Sequence, residues 1–173
     1  ACSENPKHLK ISWLITLVLY RPLEDLIMRR EHNRKHLPRL LVVEDDQKRI
    51  EQFQEWIPEE FLLTFVRSAG RALRVLELDA GRVYAGILLD HDLNQSVAAD
   101  SELQLSGRQV VARLVQLINQ DVPILIHSIN LMGAQSMEKT LVNHGFDVTR
   151  VPFDQLDQTK IKNWLTCVRD EWF

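Results

Sequence analysis

The sequence has little of what several classes of protein require. Among its 173 residues there are two cysteines, Cys2 and Cys167, which lie near opposite ends and show neither metal-binding nor redox spacing. This argues against a disulfide framework and makes a reducing cytoplasm the expected compartment. The most apolar run, Ile11 to Tyr20, is too short to cross a bilayer, which takes about 20 residues. The chain also lacks a P-loop and the spacing of a zinc site.

Positive charge is scarce outside the first 38 residues. Residues 1–38 carry seven Lys and Arg against four Asp and Glu, whereas residues 39–173 carry 14 against 20. The acidic main region argues against binding to duplex DNA. The change of charge near Pro38 predicts a domain boundary there. We therefore expect an N-terminal extension, with an apolar segment and a basic helix, followed by a main domain over residues 39–173.

The main domain alternates short apolar segments with helical patterns. Continuous apolar runs are typical of parallel strands that are buried on both faces, and each run is followed by apolar residues at helical spacing. Five such units predict a doubly wound, flavodoxin-like α/β fold, with a five-stranded parallel sheet of order 2-1-3-4-5. The predicted strands are residues 40–44, 61–66, 84–89, 123–126 and 147–151.

Polar residues follow three of the predicted strands at the points where those strands end. In doubly wound folds, ligands bind outside the carboxyl ends of the strands, near the point where the strand order reverses. The sequence therefore predicts a functional site at this edge of the sheet. Its candidate residues are Glu44, Asp45 and Asp46 after the first strand, Asp90, His91 and Asp92 after the third, and His127, Ser128 and Asn130 after the fourth.

The aspartates of this set, Asp45, Asp46, Asp90 and Asp92, predict a metal site. Carboxylates that are packed together repel one another unless a cation or protons neutralise them, and an all-oxygen ligand set suits Mg²⁺. We therefore expect a Mg²⁺ site here that receives a phosphate group. The alternative is that the acids are solvated or cap helices. Asp46 is placed to cap the helix that follows it, a role compatible with metal binding.

The same positions resemble the receiver domains of response regulators. Asp45 and Asp46 match the acidic pair that holds Mg²⁺ in receivers, and Asp90 matches the aspartate that accepts the phosphoryl group. Ser128 lies at the position of the serine or threonine that touches that group, and Gly107 matches the glycine that opens the third helix. The resemblance implies a Mg²⁺ site made by Asp45, Asp46 and Asp90.

One departure from the receiver pattern concerns charge. Receivers have Lys-Pro-Phe after the fifth strand, where the lysine pairs with the phosphoacceptor and with the bound phosphoryl oxygen. This chain has Val151-Pro152-Phe153 instead. The side chain of Val151 has no charge and no hydrogen-bond donor, and Arg150 in the same strand is expected to point to the opposite face. The departure weakens the case for ordinary phosphorylation switching.

Other departures resemble a divergent branch, the cyclic-phosphate processing receiver domain. This resemblance implies an enzyme that acts on a cyclic or terminal phosphate of a nucleotide or an RNA end. The residues that match are Leu-Asp-His-Asp-Leu at 89–93, Ser106-Gly107, and His-Ser-Ile-Asn at 127–130, with Gly133 and Met137 further on.

The two histidines of that pattern provide a candidate acid/base pair. If Asp90 and Ser128 lie level on neighbouring strands, His91 and His127 share one side of the sheet, with backbones roughly 8 Å apart. One imidazole would take a proton from water while the other protonates the leaving oxygen. The alternative for each histidine is a satisfied polar residue at a strand end. The predicted catalytic residues are His91, His127, Asp90 and Ser128, and the predicted substrate-binding residues are Asn130 and Asp92.

Three functions are open on this evidence. The first is a metal-dependent cyclic phosphodiesterase or phosphohydrolase. The second is a signalling receiver that a phosphodonor kinase phosphorylates on Asp90, and the third is a pseudo-receiver that serves as a binding module. A partner or a second copy of the chain would then bind through residues 11–20 or the last helix. The polar residues 94–105 are interpreted as a lid or specificity loop, the alternative being a tolerated insertion.

Overall fold

The structure is a computed structural model that describes residues 37–81, 83–93 and 106–172. The chain divides into two units, residues 1–37 and residues 38–173, and the described helices and strands belong to the second. The predicted apolar segment and basic helix of the N-terminal extension lie outside the described residues, as does the predicted lid. Within the described ranges, no helix has the length and apolar character needed to cross a membrane.

Five parallel strands form one sheet and alternate with five helices in the described part of the chain. The strand order is β2-β1-β3-β4-β5, and every neighbouring pair is parallel, which confirms the predicted fold. A 3₁₀ turn, Phe153–Gln155, precedes the last helix. The elements are β1 (Arg39–Val43), α1 (Gln47–Trp56), β2 (Leu62–Val66), α2 (Ala69–Leu78), β3 (Gly86–Leu89), α3 (Gly107–Leu117), β4 (Ile124–Ile126), α4 (Leu131–Asn143), β5 (Val148–Arg150) and α5 (Gln158–Trp172).

The central strands are buried on both faces, which explains their unbroken apolar runs. Side chains alternate between the two faces along a strand. Leu41 and Val43 of β1 therefore pack with α2, α3 and α4, while Leu40 and Val42 pack with α1 and α5. All four side chains are fully buried. Burying a side chain of this size is worth about 1.5–3 kcal/mol before entropy costs, so the two cores hold the strands firmly in register.

A polar side chain caps the start of each of the first four helices. Asp46 caps α1, Ser68 caps α2, Ser106 caps α3 and Asn130 caps α4, each accepting a hydrogen bond from a backbone N–H of the first turn. The cap at Asp46 was predicted from the sequence, and the structure confirms it. Because Asp46 and Asn130 closely follow the ends of β1 and β4, they also fix the backbone around the candidate site.

The strand β3 is shorter than the predicted segment 84–89. Tyr84 and Ala85 are buried, but the ladder with β1 begins at Gly86. The Tyr84 hydroxyl donates a hydrogen bond of 2.6 Å to the carboxylate of Asp79, at the end of α2. The apolar run begins before the strand because burial alone does not distinguish a strand from a buried connection.

Gly86 provides a test of the packing between β3 and α5. A Cβ atom at this position would lie 2.9 Å from Cη2 of Trp164 and 3.0 Å from Cγ2 of Val168, and both neighbours are buried. Gly86→Ala is therefore expected to lower the free energy of unfolding by about 1–3 kcal/mol in urea denaturation. In a Trp164→Phe background, which lacks Cη2, the added cost should be smaller. An equal cost in both backgrounds would contradict this packing explanation.

Candidate functional site

The strand register brings three polar residues to one level at the carboxyl edge of the sheet. Leu89 of β3 pairs with Val43 of β1 and with Ile126 of β4. The next residues on these strands therefore also lie level with one another. By the alternation of side chains they continue the face that packs with α1 and α5. These three residues are Glu44, Asp90 and His127.

Glu44, Asp45 and Asp90 form a buried acidic cluster. Each offers one carboxylate oxygen, and these oxygens all lie within 4.8 Å of one another. The residues are 0%, 3% and 2% exposed, respectively. Carboxylates buried at this spacing repel one another unless they are neutralised, and oxygen-only donors are the ligands that Mg²⁺ prefers. The acidic cluster therefore fits a hard divalent cation.

The pKa of Glu44 reflects this concentration of negative charge. It is raised from 4.5 to about 7, chiefly by burial and further by the charges of Asp90 and Asp45. A backbone hydrogen bond from Asp46 and the charge of Arg49 act in the opposite direction. Oε1 of Glu44 accepts hydrogen bonds from the backbone N–H groups of Asp45 and Asp46, each at 2.9 Å. A fully ionised acidic cluster thus requires positive charge close by.

Arg49, in the first turn of α1, supplies positive charge to the acidic cluster. Its Nη1 lies 3.1 Å from Oδ2 of Asp90 and 3.4 Å from Oε2 of Glu44. Its guanidinium also lies over the ring of Phe153, 4.9 Å from the ring centroid, as in a cation–π contact. Burial acts to lower the pKa of Arg49, but the charges of Glu44 and Asp90 raise it overall. The guanidinium therefore stays protonated.

Asp46 has a different role from its neighbours. Its Oδ1 accepts hydrogen bonds from the backbone N–H groups of Lys48, at 2.8 Å, and Arg49, at 3.1 Å. The acidic cluster contains Glu44 and not Asp46. The sequence assigns the metal-binding acidic pair to Asp45 and Asp46. The acidic cluster instead contains Glu44 and Asp45, so the pair lies one residue earlier in the chain. Strand parity is the reason, because it aligns Glu44 with Asp90.

His127 lies beside the acidic cluster and is fully buried. Its ring packs against Phe53, with centroids 4.9 Å apart, and against Phe153, at 6.1 Å. Nδ1 lies 3.5 Å from Oε2 of Glu44, yet neither ring nitrogen has a hydrogen-bond partner among the described residues. Burial, reinforced by the charge of Arg49, lowers the pKa of His127 from 6.5 to about 3. The imidazole is therefore neutral.

His91 lies on the opposite face of the sheet, against α4. Its Nδ1 is 2.6 Å from Oδ1 of Asp92, and Nδ2 of Asn130 lies 3.2 Å from the same carboxylate oxygen. The His91 ring packs so closely on Gly133 that a Cβ there would lie 2.5 Å from the ring. A carboxylate at this distance favours the tautomer with the proton on Nδ1, in which Nε2 is the free acceptor.

The register corrects our expectation for the two histidines. Asp90 lies level with His127, whereas we expected it to lie level with Ser128. The shift of one residue places His91 and His127 on opposite faces, so they do not share one side of the sheet. Ser128 is 2% exposed, and its Oγ accepts a hydrogen bond of 3.2 Å from the backbone N–H of Asn130. The structure thus brings Asp92 and Asn130 to His91 and leaves His127 beside Glu44.

A family model settles the classification of this chain. The model described as the cyclic-phosphate processing receiver domain matches residues 40–143. The chain belongs to this family. The resemblance drawn from the sequence is thereby confirmed. No curated protein matches the chain.

Solved structures show the fold of this cyclic-phosphate processing receiver domain in relatives of low sequence identity. A receiver domain of a sensor histidine kinase from Pseudomonas aeruginosa, described with magnesium coordinated in its active-site cleft, is 19% identical. The match covers 76% of this chain and 98% of that receiver domain, with a TM-score of 0.53. A two-component response regulator from Clostridium difficile is 13% identical over 77% of this chain and 96% of its own, with a TM-score of 0.57. The response regulator domain of Thermotoga maritima CheB is 15% identical over 79% and 97%, with a TM-score of 0.54.

Two residues of the candidate site, Glu44 and Arg49, are not among the metal or catalytic residues that the sequence predicts. The sequence places Glu44 at a strand end but does not assign it to the metal ligands. The signal for it was parity, because Glu44 is two residues beyond Val42 and shares its face of the sheet. Arg49 had no such signal. Its contact with Asp90 joins residues that are 41 positions apart in the chain, and helical spacing alone places Arg49 on no particular surface.

The capping role of Asp46 can be tested separately from the acidic cluster. Asp46→Ala removes the acceptor for two backbone N–H groups at the start of α1 and is expected to cost about 0.5–2 kcal/mol of stability in urea denaturation. Asp46→Asn retains a capping oxygen and should lose much less. Equal losses in the two variants would contradict the capping role.

Proposed function

We propose that this receiver domain is a Mg²⁺-dependent enzyme that acts on a cyclic or terminal phosphate of a nucleotide or an RNA end. The observation that carries the proposal is the acidic cluster with Arg49 held against it, at the sheet edge where doubly wound folds bind ligands. Carboxylates suit Mg²⁺ and a guanidinium suits a phosphate, so the two together suit a metal–phosphate pair. Membership of the cyclic-phosphate processing family supports phosphate as the reacting group.

Mg²⁺ is the cofactor that the acidic cluster fits. Glu44, Asp45 and Asp90 would hold it through their carboxylate oxygens. The similar receiver domain from Pseudomonas aeruginosa is described with magnesium in its active-site cleft, which supports this choice of metal. When bound, Mg²⁺ supplies a Lewis acid that stabilises negative charge on phosphoryl oxygens.

Arg49 is the residue that binds the phosphate group in this proposal. Both of its ion pairs run through Nη1, so Nε and Nη2 are not used in them. A guanidinium presents its N–H donors in a fixed plane that matches phosphate geometry. Val151, at the position of the receiver lysine, packs against the apolar core on the α1 and α5 side. Arg49 thus supplies from α1 the positive charge that receivers supply after β5.

His91 is the general base in this proposal. Its ring lies on the other face of the sheet from the acidic cluster, but its backbone N–H donates a hydrogen bond of 2.7 Å to Oδ1 of Asp90, so both groups lie at the same edge of the sheet. Asp92 orients the ring through Nδ1, and Nε2 accepts the proton of an attacking water. For a 2′,3′-cyclic phosphate, the water oxygen forms a bond to phosphorus, and one of the two ring P–O bonds breaks. The released ribose oxygen takes up a proton from a second water, and protonated His91 returns its proton to the hydroxide so formed, so the product is a phosphate monoester and His91 is regenerated.

His127 acts through Glu44 in this proposal. A fully buried neutral imidazole next to a carboxylate has no route to a substrate in solvent, and its Nδ1 lies 3.5 Å from Glu44. We therefore assign His127 to positioning that carboxylate. The direct catalytic role predicted for it from the sequence stays a prediction, as does that of Ser128.

The second candidate function is a signalling receiver that is phosphorylated on Asp90. The observation that favours it is the place of Asp90 in the acidic cluster, at the position of the receiver phosphoacceptor. Its weakness is Val151, which lacks the charge that pairs with a phosphoryl group. Acetyl phosphate with Mg²⁺ distinguishes this candidate, because a labile adduct that is lost in Asp90→Asn would favour signalling over hydrolysis.

The proposed activity is tested with 2′,3′-cyclic nucleotides and a cyclic-phosphate-ended oligoribonucleotide, in Mg²⁺ and in EDTA. We expect ring opening that requires Mg²⁺ and is lost in Asp90→Asn. Removal of a general base typically costs about 10²–10⁴-fold in rate, so His91→Ala should fall in that range. His144→Ala, an exposed histidine at the end of α4, is the matched control and should keep full activity. If the protein opens the ring of none of these substrates, the enzyme proposal is contradicted. Full activity in His91→Ala would contradict the role of His91.

Arg49→Gln tests the phosphate-binding role. The loss of one group that stabilises transition-state charge is expected to lower kcat/KM by roughly 10²–10³-fold. Mg²⁺ should bind at least as tightly in isothermal titration calorimetry, because a competing cation is gone. Adding Val151→Lys to this variant should restore part of the activity by returning charge from β5. Arg113→Gln, which breaks a surface ion pair with Glu77, is the control. Unchanged activity in Arg49→Gln would refute the role.

A further inference from the structure

A concave surface outside the acidic cluster lies at the edge of the sheet, between β2 and α2. It is a groove of about 350 Å³ with no acidic side chain among its lining residues. Arg71 and Arg74 are three positions apart on α2, so they lie on one face of the helix, and both are exposed. Leu78, also on this face, is 76% exposed. We call this the arginine groove, defined by Arg67, Arg71 and Arg74 above Val66, Val75 and Leu78.

The arginines of this groove are unneutralised within the described part of the chain. Five of the nine described arginines form ion pairs with Asp or Glu. The arginine groove holds three of the remaining four. Residues 39–173 carry a net charge of −6, from 14 basic and 20 acidic residues, so this cluster is a local exception. Unpaired arginines gathered over an apolar floor favour an anionic ligand that also offers apolar or aromatic surface.

Arg67 connects the arginine groove to the acidic cluster. It follows β2 directly, and its Nη2 donates a hydrogen bond of 3.2 Å to the backbone carbonyl of Asp45. Its Nη1 donates to Oε1 of Gln47 at 2.9 Å, and its Nε is buried without a hydrogen-bond partner in the described structure. The row of arginines therefore begins beside a residue of the acidic cluster and runs outward along α2.

We propose that the arginine groove binds the phosphodiester backbone of a single-stranded RNA whose 3′ end reaches the acidic cluster. The inference rests on the proposed function for the chemistry at that end. A 2′,3′-cyclic phosphate forms only where a ribose has a 2′-hydroxyl, so a polymeric substrate of this chemistry is RNA. Guanidinium planes bind phosphates and stack on unpaired bases, and the apolar floor suits ribose and base faces. The groove would favour an RNA end over a mononucleotide.

The test compares binding by three forms of the full chain, using fluorescence anisotropy with a labelled 3′-phosphorylated oligoribonucleotide. The forms are the wild type, the charge-reversed groove variant R71E/R74E and the control K139E/K162E. The control changes net charge by the same amount at exposed lysines of α4 and α5. R71E/R74E is expected to weaken RNA binding about tenfold or more, and the control is expected to bind as the wild type does. Two phosphate contacts, made by the exposed Arg71 and Arg74, predict a slope of about −1.4 for the logarithm of affinity against the logarithm of salt concentration.

Several results would overturn the groove inference. They are equal RNA binding by all three forms, equal weakening in both variants, absence of RNA binding by the wild type, and preferential binding of a polyglutamate peptide. Circular dichroism is the folding control for R71E/R74E. We expect the spectrum of the wild type, because both side chains are exposed and form no ion pair among the described residues.

Turnover of a 2′,3′-cyclic mononucleotide, measured on the same proteins, separates this inference from the proposed function. A mononucleotide does not extend along the groove, so R71E/R74E should turn it over at the wild-type rate. If the protein turns over the mononucleotide but R71E/R74E binds RNA as tightly as the wild type does, only the groove inference is overturned. RNA binding that depends on the groove, without turnover of any substrate, would overturn only the proposed function.

Discussion

The candidate site depends on one constraint, the common level at which three neighbouring parallel strands end. Leu89 pairs with both Val43 and Ile126, and this single row sets the next residues of the three strands side by side. The two apolar cores hold this row, because a slip of one residue would turn every buried side chain to the other face. Glu44 and Asp90 therefore meet as a consequence of core packing, although neither contributes apolar surface to it.

Burial of carboxylates at that edge has an electrostatic cost that the surrounding structure offsets. Backbone N–H groups bind Glu44, and Arg49 reaches Asp90 from the first turn of α1. Phe153 places an aromatic face against the guanidinium, so the 3₁₀ turn after β5 takes part in holding the charge. The two faces of the sheet then differ in character, since His127 is enclosed by aromatic rings on one side while His91 keeps polar partners on the other.

Most of the fold and part of the site could be predicted from local pattern. Unbroken apolar runs, helical spacing and capping residues depend on neighbours in sequence, so the five parallel strands, their order and the cap at Asp46 were accessible. The match to the cyclic-phosphate processing receiver domain also lay in short motifs. The same local information placed polar residues at three strand ends, because parallel strands end at one edge of the sheet.

The sequence by itself determined the strands, their order and the edge at which polar residues gather. Only the tertiary structure decided which of those residues meet. The choice of Glu44 over Asp46, and the separation of His91 from His127, depend on a register of one residue, which side-chain packing across strands sets. The contact of Arg49 with Asp90 joins residues from different elements. No local periodicity encodes such contacts, because they arise only when separate elements pack together.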